Sequence, residues 1–420
     1  AEDVWPERQA EIDKVATDLV FRGMNDSEAA AVLLAGLSEA KALGRAPESI
    51  DSALVRRDEH LLRVKLRVLG LEDKVRELRP PRRRAQPAPM LREGSPTEAG
   101  VHADAKQRID EVCRAWAADS GEPFVILVAR RGVIVTHEAF GTDKQGRPIG
   151  RDYRADVASI TKNLTAIIFS LFVDQGLIDL DDSIGCIFPD YPDDPTRVPT
   201  FRQCLTHMSG LSGHGDFGGV RHPFLDNVVL NGIDANRVGK AYIYTGMGFD
   251  LAAEAMELVT GKSALRLYRE HLFEPLGMGD LPMDNASAGA QFTALQLATL
   301  GQWLANHGSY GELEFISEKT FERLLPEDLS VRYPGVTNEV EGMGMHWMRD
   351  PRPGKSKDST DPADFFFGLR TLGHGSLSSC IYRVDLDSGL VVVQIRRTAG
   401  PRFGEWQPRF FEAIAASIVE

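Results

Sequence analysis

A chain of 420 residues with 43% apolar and 26% charged side chains has the make-up of a soluble globular protein, with room for a large core and more than one domain. Net charge is −13, nearly all of it after residue 100, and an acidic main body argues against nucleic acid as a partner. No apolar run approaches the ~20 residues that a membrane helix needs.

Residues 1–78 carry apolar side chains at three- and four-residue spacing near 6–22, 27–43 and 47–69, which predicts helices. Gly44 and Gly70 stand where helix C-caps are expected. Residues 79–100 hold Pro80, Pro81, Pro87, Pro89 and Pro96 and read as an extended linker. Its basic run, Arg79 to Arg84, reads as solvated rather than as an anion-binding surface. The expected division is a helical accessory region at 1–78, a linker at 79–100, and a main domain at 101–420. Nothing in the first region signals chemistry.

The main domain opens with a predicted helix over 105–118. Two strand-like runs follow, Phe124–Arg130 and Val133–Phe140, split by Arg131-Gly132 in the manner of a hairpin. Next comes Ser159-Ile-Thr-Lys162, ahead of apolar residues at helical spacing: Leu164, Ile167, Ile168, Leu171 and Phe172. Residues i and i+3 share a helix face, so Lys162 would stand one turn above Ser159. A serine hydroxyl needs a neighbouring base to become a nucleophile, and a lysine in a dry site can serve. The helix N-terminus would offer backbone N–H groups to an oxyanion. The pattern alone is weak, since Ser38-Glu-Ala-Lys41 matches it with no sign of chemistry.

Helical and irregular segments continue to about residue 325. Two strands, 379–384 and 390–396, and a helix over 406–419 close the chain. Strands at both ends with helices between predict an α+β fold: one antiparallel β-sheet flanked by helices, a mostly helical lobe inserted, and a cleft between them. Cys113, Cys186, Cys204 and Cys380 are scattered and form no C-x-x-C, so free buried thiols are expected. Gly213-His-Gly-Asp-Phe-Gly218 fits a dinucleotide fingerprint but lacks the preceding strand, and reads as a loop. There is no G-x-S-x-G elbow, and no cofactor or metal is implied.

Three later stretches give the first motif its meaning: Leu205-Thr-His-Met-Ser-Gly-Leu211, Tyr244-Thr-Gly-Met-Gly-Phe-Asp-Leu251 and Gly373-His-Gly-Ser-Leu377. With Ser159-Ile-Thr-Lys162, in this order and spacing, residues 105–420 resemble the serine β-lactamase-related family. It includes class C β-lactamases, D-alanyl-D-alanine carboxypeptidases, D-aminopeptidases and family VIII-type esterases. The resemblance implies a β-lactamase/transpeptidase-like fold and an acyl-enzyme on Ser159, with Lys162 as base or base partner. It implies Tyr244 as the tyrosine of the Y-x-N motif, with Tyr242 the nearby competitor. Beside a cationic Lys162, the Tyr244 phenol, ordinarily of pKa ~10, is expected to be partly ionised. His374 stands where lactamases commonly carry the Lys of K-T-G. The N–H groups of Ser159 and Leu377 would form the oxyanion hole, and Gly375, Ser376 and Gly246 would line the substrate site. His207 is expected to be structural.

Two departures matter. Gly246 replaces the asparagine of Y-x-N, and Ser376 replaces the last glycine of K-T-G. Both favour a looser acyl pocket, hence an esterase ahead of a D-amino-acid peptidase or amidase, and these ahead of a β-lactamase. A transacylase remains open, and so does a non-catalytic binding protein on the same fold. The expected partner is a small-molecule ester or amide. The sequence leaves the oligomeric state unassigned. The resemblance and the missing initiator Met point to a secreted or periplasmic protein.

Overall fold

The computed structural model describes residues 62, 63, 65–189, 191–211, 233–279, 281–283, 285–337 and 339–419. The helices expected before residue 62, Gly44, the Ser38 motif and the Gly213 to Gly218 run lie outside the described residues.

A seven-stranded sheet organises the rest. Its strands are β2 (Arg92–Glu93), β3 (Phe124–Arg130), β4 (Val133–Phe140), β10 (His346–Trp347), β11 (Thr371–Gly373), β12 (Ile381–Asp385) and β13 (Leu390–Ile395). They lie in the order β10-β11-β12-β13-β3-β4-β2. All neighbours are antiparallel except β2, which pairs parallel to β4 at the edge. The Arg131-Gly132 hairpin is present, and β13 pairs with β3 along its length, so the two ends of the domain meet in mid-sheet. This is the expected α+β arrangement.

Strand β3 is buried throughout, because both faces of the sheet are covered. Phe124, Ile126 and Val128 point to one side, against helix α1 (Ala105–Ser120) and the last helix, α6 (Phe403–Ala415). Val125, Leu127 and Ala129 point to the other, into a larger core shared with α2 (Thr161–Asp174), α4 (Met247–Thr260) and α5 (Ala294–Ala305). Helix α2 is buried from Thr161 to Val173, which makes it the central pillar of the helical lobe. Each large apolar side chain so buried contributes about 1.5–3 kcal/mol.

Two glycines set how closely the lobe packs around α2. A Cβ on Gly248 of α4 would lie 2.2 Å from the Cys204 carbonyl oxygen of α3 (Phe201–Leu205). A Cβ on Gly344, at φ +64°, would lie 2.5 Å from the Lys162 carbonyl oxygen. No other residue fits either place without moving backbone.

The stretch expected as a linker is extended, but it is paired to the domain instead of crossing solvent. Strand β1 (Arg82–Ala88) runs antiparallel to β7 (Ser309–Glu314). Arg82 reaches Glu314 at 2.8 Å and Asp174 at 3.3 Å, and Arg84 donates to Ser309 Oγ at 2.7 Å. The basic run therefore has acidic and hydroxyl acceptors on the domain, a match no reading of the segment alone reveals. Just before it, Leu62, Leu66, Leu71 and Leu78 are buried in the main core, and Lys65 pairs with the buried Glu254. Among the described residues no helix is long and apolar enough to cross a membrane.

Candidate active site

Ser159 sits in a 3-10 turn, Ala158–Ile160, that feeds directly into α2. Ala158 is held at φ +48°, a left-handed conformation that costs a non-glycine residue energy. Its N–H donates to Asp156 Oδ1 at 2.6 Å, and Thr161 Oγ1 donates back to the Ala158 carbonyl at 2.7 Å. Bonds on both sides therefore hold the strained residue that presents Ser159, which is itself half-buried.

Lys162 stands one turn on, as the i+3 spacing demands. It is 3% exposed, and its Nζ donates to Ser159 Oγ at 3.3 Å and to the Ser287 carbonyl at 3.0 Å. Ser287 is set in a turn whose N–H groups, Ser287 and Ala288, both donate to Asn285 Oδ1. That carbonyl anchor escaped sequence reasoning, because a backbone oxygen leaves no residue signature.

Tyr244 precedes α4 and leans over the same amine. Lys162 Nζ lies 4.9 Å from the centroid of its ring, and 5.8 Å from that of Phe249. The amine thus sits over the ring face. Burial, with Glu341 adding to it, raises the Tyr244 hydroxyl above its ordinary value, while a hydrogen bond with Ser159 offsets this in part. The net direction is toward the neutral phenol. Tyr242, the competitor, is occupied elsewhere: its hydroxyl donates to Glu341 Oε2 at 2.7 Å.

His207 lies beneath Tyr244, wholly buried, with ring centroids 4.4 Å apart. The Thr245 N–H donates to its Nδ1 at 3.1 Å, so the neutral ring carries its hydrogen on Nε2. Burial first, then the charges of Lys162, His374 and His346, push its pKa well below the usual histidine range. It supports the tyrosine from below and has no hydroxyl to activate, in keeping with a structural role.

The third motif closes the other side. His374 follows β11, and its Nδ1 lies 2.7 Å from the Gly375 carbonyl oxygen. A carbonyl only accepts, so Nδ1 carries the hydrogen and Nε2 presents a lone pair. That Nε2 is buried and has no hydrogen-bond partner among the described residues. Burial, then the nearby His346 and Lys162, push its pKa down to about 3. The ring is 6.3 Å from that of Tyr244 and 4.4 Å from that of His346.

Ser376 donates its hydroxyl to the Val157 carbonyl at 3.0 Å, which ties the third motif to the chain two residues before the nucleophile. Gly375 faces open space, and the Leu377 side chain stands in solvent, 94% exposed. Gly246 caps α4, its carbonyl accepting from the N–H of Phe249 and of Asp250, and it adds no side chain to the site. The structure thus gathers Ser159, Lys162, Tyr244 and His374 around one point, with Ser376 bracing the wall. Glu341 and His346 escaped sequence reasoning; the only signal was a lone Glu and a lone His among glycines and methionines.

A separate cavity of about 570 Å³ is lined by Arg202, Arg323, Arg332 and Arg370, with Asp181 and Trp347 among its other walls. Its guanidinium groups are matched by carboxylates: Arg202 by Asp181, Arg323 by Asp179, Arg332 by Glu327, Arg370 by Glu322. It touches none of the four residues above and reads as an ion-pair network.

Known proteins bear out the architecture. The Mycobacterium tuberculosis (strain ATCC 25618 / H37Rv) protein named Esterase/beta-lactamase LipL is 31% identical over 201 residues, 46% of this chain and 45% of that protein. The chain's match spans less than half the length of the curated relatives it resembles in this way. Among solved structures, a penicillin-binding protein homolog from Caulobacter crescentus aligns with a TM-score of 0.57 at 21% identity, covering 76% of this chain and 98% of that one. D-amino acid amidase from Ochrobactrum anthropi SV3 aligns at 0.56 and 19%, covering 75% and 100%. At such identities the likeness is one of fold. The model of the family described as Beta-lactamase matches residues 118–405, well over half of the chain, and on that ground the chain belongs to the beta-lactamase family.

Proposed function

We propose that the protein is a serine hydrolase that works through an acyl-enzyme on Ser159, with small esters as preferred substrates. The observation that carries this reading is the buried Lys162 amine at 3.3 Å from the Ser159 hydroxyl, with Tyr244 and His374 around it. Burial favours the neutral form of an amine, and a neutral amine at this distance can take the serine proton. Ser159 Oγ then attacks the substrate carbonyl, and the Ser159 and Leu377 N–H groups hold the oxyanion. The neutral Tyr244 phenol passes a proton to the departing alcohol and regains one from Lys162. Water repeats the sequence on the acyl-enzyme and restores Ser159.

The preference for esters rests on the third motif. Its first residue is an uncharged imidazole where a lysine would bring a cation, so the wall offers little attraction to the carboxylate of a β-lactam. With Gly246 there is also no side-chain amide to hold an amide substrate. An alcohol leaves more readily than an amine and asks less of both. The name of the LipL relative, Esterase/beta-lactamase, fits this family range.

The test is intact-protein mass after p-nitrophenyl butyrate, beside nitrocefin turnover. Wild type gains a transient butyryl group and releases p-nitrophenol, Ser159→Ala does neither, and nitrocefin opens far more slowly. A Ser159→Ala variant that still turns over the ester would remove the reading. Nitrocefin opening at a comparable rate would replace the ester preference with a lactamase or peptidase one.

A further inference from the structure

His374 is a member of the site whose state is acted on by residues outside the four motifs. Strand β10 lies against β11 with His346 opposite Gly373, which places the His346 ring 4.4 Å from that of His374 at a tilt of 43°. His346 Nε2 in turn lies 3.0 Å from Glu341 Oε1, within ion-pair distance though off the line of a good hydrogen bond. Glu341 belongs to the short strand β9 (Val340–Glu341), is 2% exposed, and takes the Tyr242 hydroxyl on its other oxygen. A buried carboxylate thus stands beside one imidazole, and that imidazole packs at a tilt against the next.

The contacts set what acts on His374. The groups acting on His374 are His346 and Lys162, both of which oppose a charge there, and the Gly375 carbonyl. His207, itself affected by any charge on His374, and the Tyr244 ring stand beside it as well. Among the described residues, the groups acting on it include no carboxylate. Around Glu341 stand Tyr242, His346 and, opposite in the β8 (Glu327–Asp328) to β9 register, Glu327. His346 has a carboxylate beside it, and its presence against the His374 ring opposes a charge on His374.

We propose that Glu341 and His346 are positioning residues for His374. The carboxylate tethers His346, and the His346 ring keeps His374 in the orientation and uncharged form in which its Nε2 accepts a hydrogen bond at the nucleophile site. This rests on the proposed role of His374 in ester hydrolysis.

The experiment is the pH dependence of kcat/KM and kcat for p-nitrophenyl butyrate, in wild type, His346→Gln, Glu341→Gln and the double variant. Removing His346 removes a group that opposes charge on His374, so His374 takes a proton at higher pH. Its acceptor is then lost as pH falls through that higher value. The acid limb of His346→Gln is expected to move up by about one pH unit, with kcat rather than KM carrying the loss. Glu341→Gln moves the limb the same way by less. The double variant moves it no further than His346→Gln alone, because Glu341 acts through His346. A merely structural role would lower activity equally at all pH values and leave the limb in place. A limb unmoved in His346→Gln, a partly exposed position where the substitution is readily accommodated, overturns the inference even if Glu341→Gln fails to fold. Ser159 adduct formation separates the two levels. A wild type without adduct removes the function reading itself, whereas an adduct with an unmoved limb removes only this positioning role.

Discussion

Two of the basic side chains buried among the described residues, Arg396 and Lys162, lie on opposite sides of the sheet, and their surroundings differ in kind. Arg396, at the end of β13, has no solvent exposure. Its guanidinium donates to the carbonyls of Thr398 and Ala399 and to Gln394 Oε1, at 2.6 to 3.0 Å. The rings of Trp116, Phe124 and Phe403 surround it at 4.9 to 5.3 Å. Burial lowers its pKa to about 10, which still leaves it charged at neutral pH. Lys162 is buried nearly as deeply, but its amine points at a hydroxyl that can lose a proton. A guanidinium keeps its proton and serves as a fixed strut. An amine can exchange one and so can do chemistry. Burial of a cation is common to both sites, and what separates them is whether the proton can leave.

Exchanging the two chemistries breaks the comparison most sharply. Lys162→Arg keeps a positive charge and a donor at Ser159 but cannot accept the serine proton. Acylation of Ser159 by p-nitrophenyl butyrate should fall about a thousandfold, read as adduct formation by mass. Acylation near the wild-type rate would mean that the base lies elsewhere and that Lys162 is another strut.

The opposite arm is Arg396→Met. It leaves the carbonyls of Thr398 and Ala399 and the Gln394 side chain without their donor in a buried place. We expect a loss of about 3 kcal/mol in denaturant unfolding, with kcat of the folded protein unchanged. A fall in kcat with stability preserved would assign Arg396 to function and erase the contrast.

How much of this was legible in the sequence depended on how local the determining contacts are. The hairpin around Arg131-Gly132, the strand at Leu390 and the i+3 pair of Ser159 and Lys162 are set by neighbours a few residues away, and they stand where the patterns put them. The order of the later motifs located Tyr244 and His374 beside that pair. Contacts made across the chain left no trace. Tyr242 and Glu341 meet over a separation of 99 residues, and at Ser287 it is the backbone carbonyl that takes the Lys162 amine. The Pro- and Arg-rich stretch at 79–100 has the composition of a linker, and its docking depends on Glu314 and Asp174, which lie far along the sequence. Tyr244 shows the same limit: residue types told that an amine was near, and only geometry told that it lay over the ring.

His374 sharpens the comparison, because it is a buried base held in its uncharged form. Its pKa is about 3 in the folded protein against an ordinary value near 6.5. Between these values the unfolded chain binds a proton that the folded chain does not. Stability therefore rises with pH across that window, is fully present above pH ~6.5, and is lost as pH falls toward 3. Acidification from pH 7 to 5 should cost up to about 2 kcal/mol through this residue alone. His207, pushed down for the same reason of burial, adds a second contribution of the same sign. His137 and His271 are lowered in the same sense, and His374→Gln removes one of these contributions, so its unfolding free energy should decline less steeply than that of wild type between pH 7 and 5, whatever its starting stability. Identical slopes would mean that His374 titrates alike in both states. The wall facing Ser159 would then carry a charge at acid pH, and the ester preference would lose its electrostatic basis.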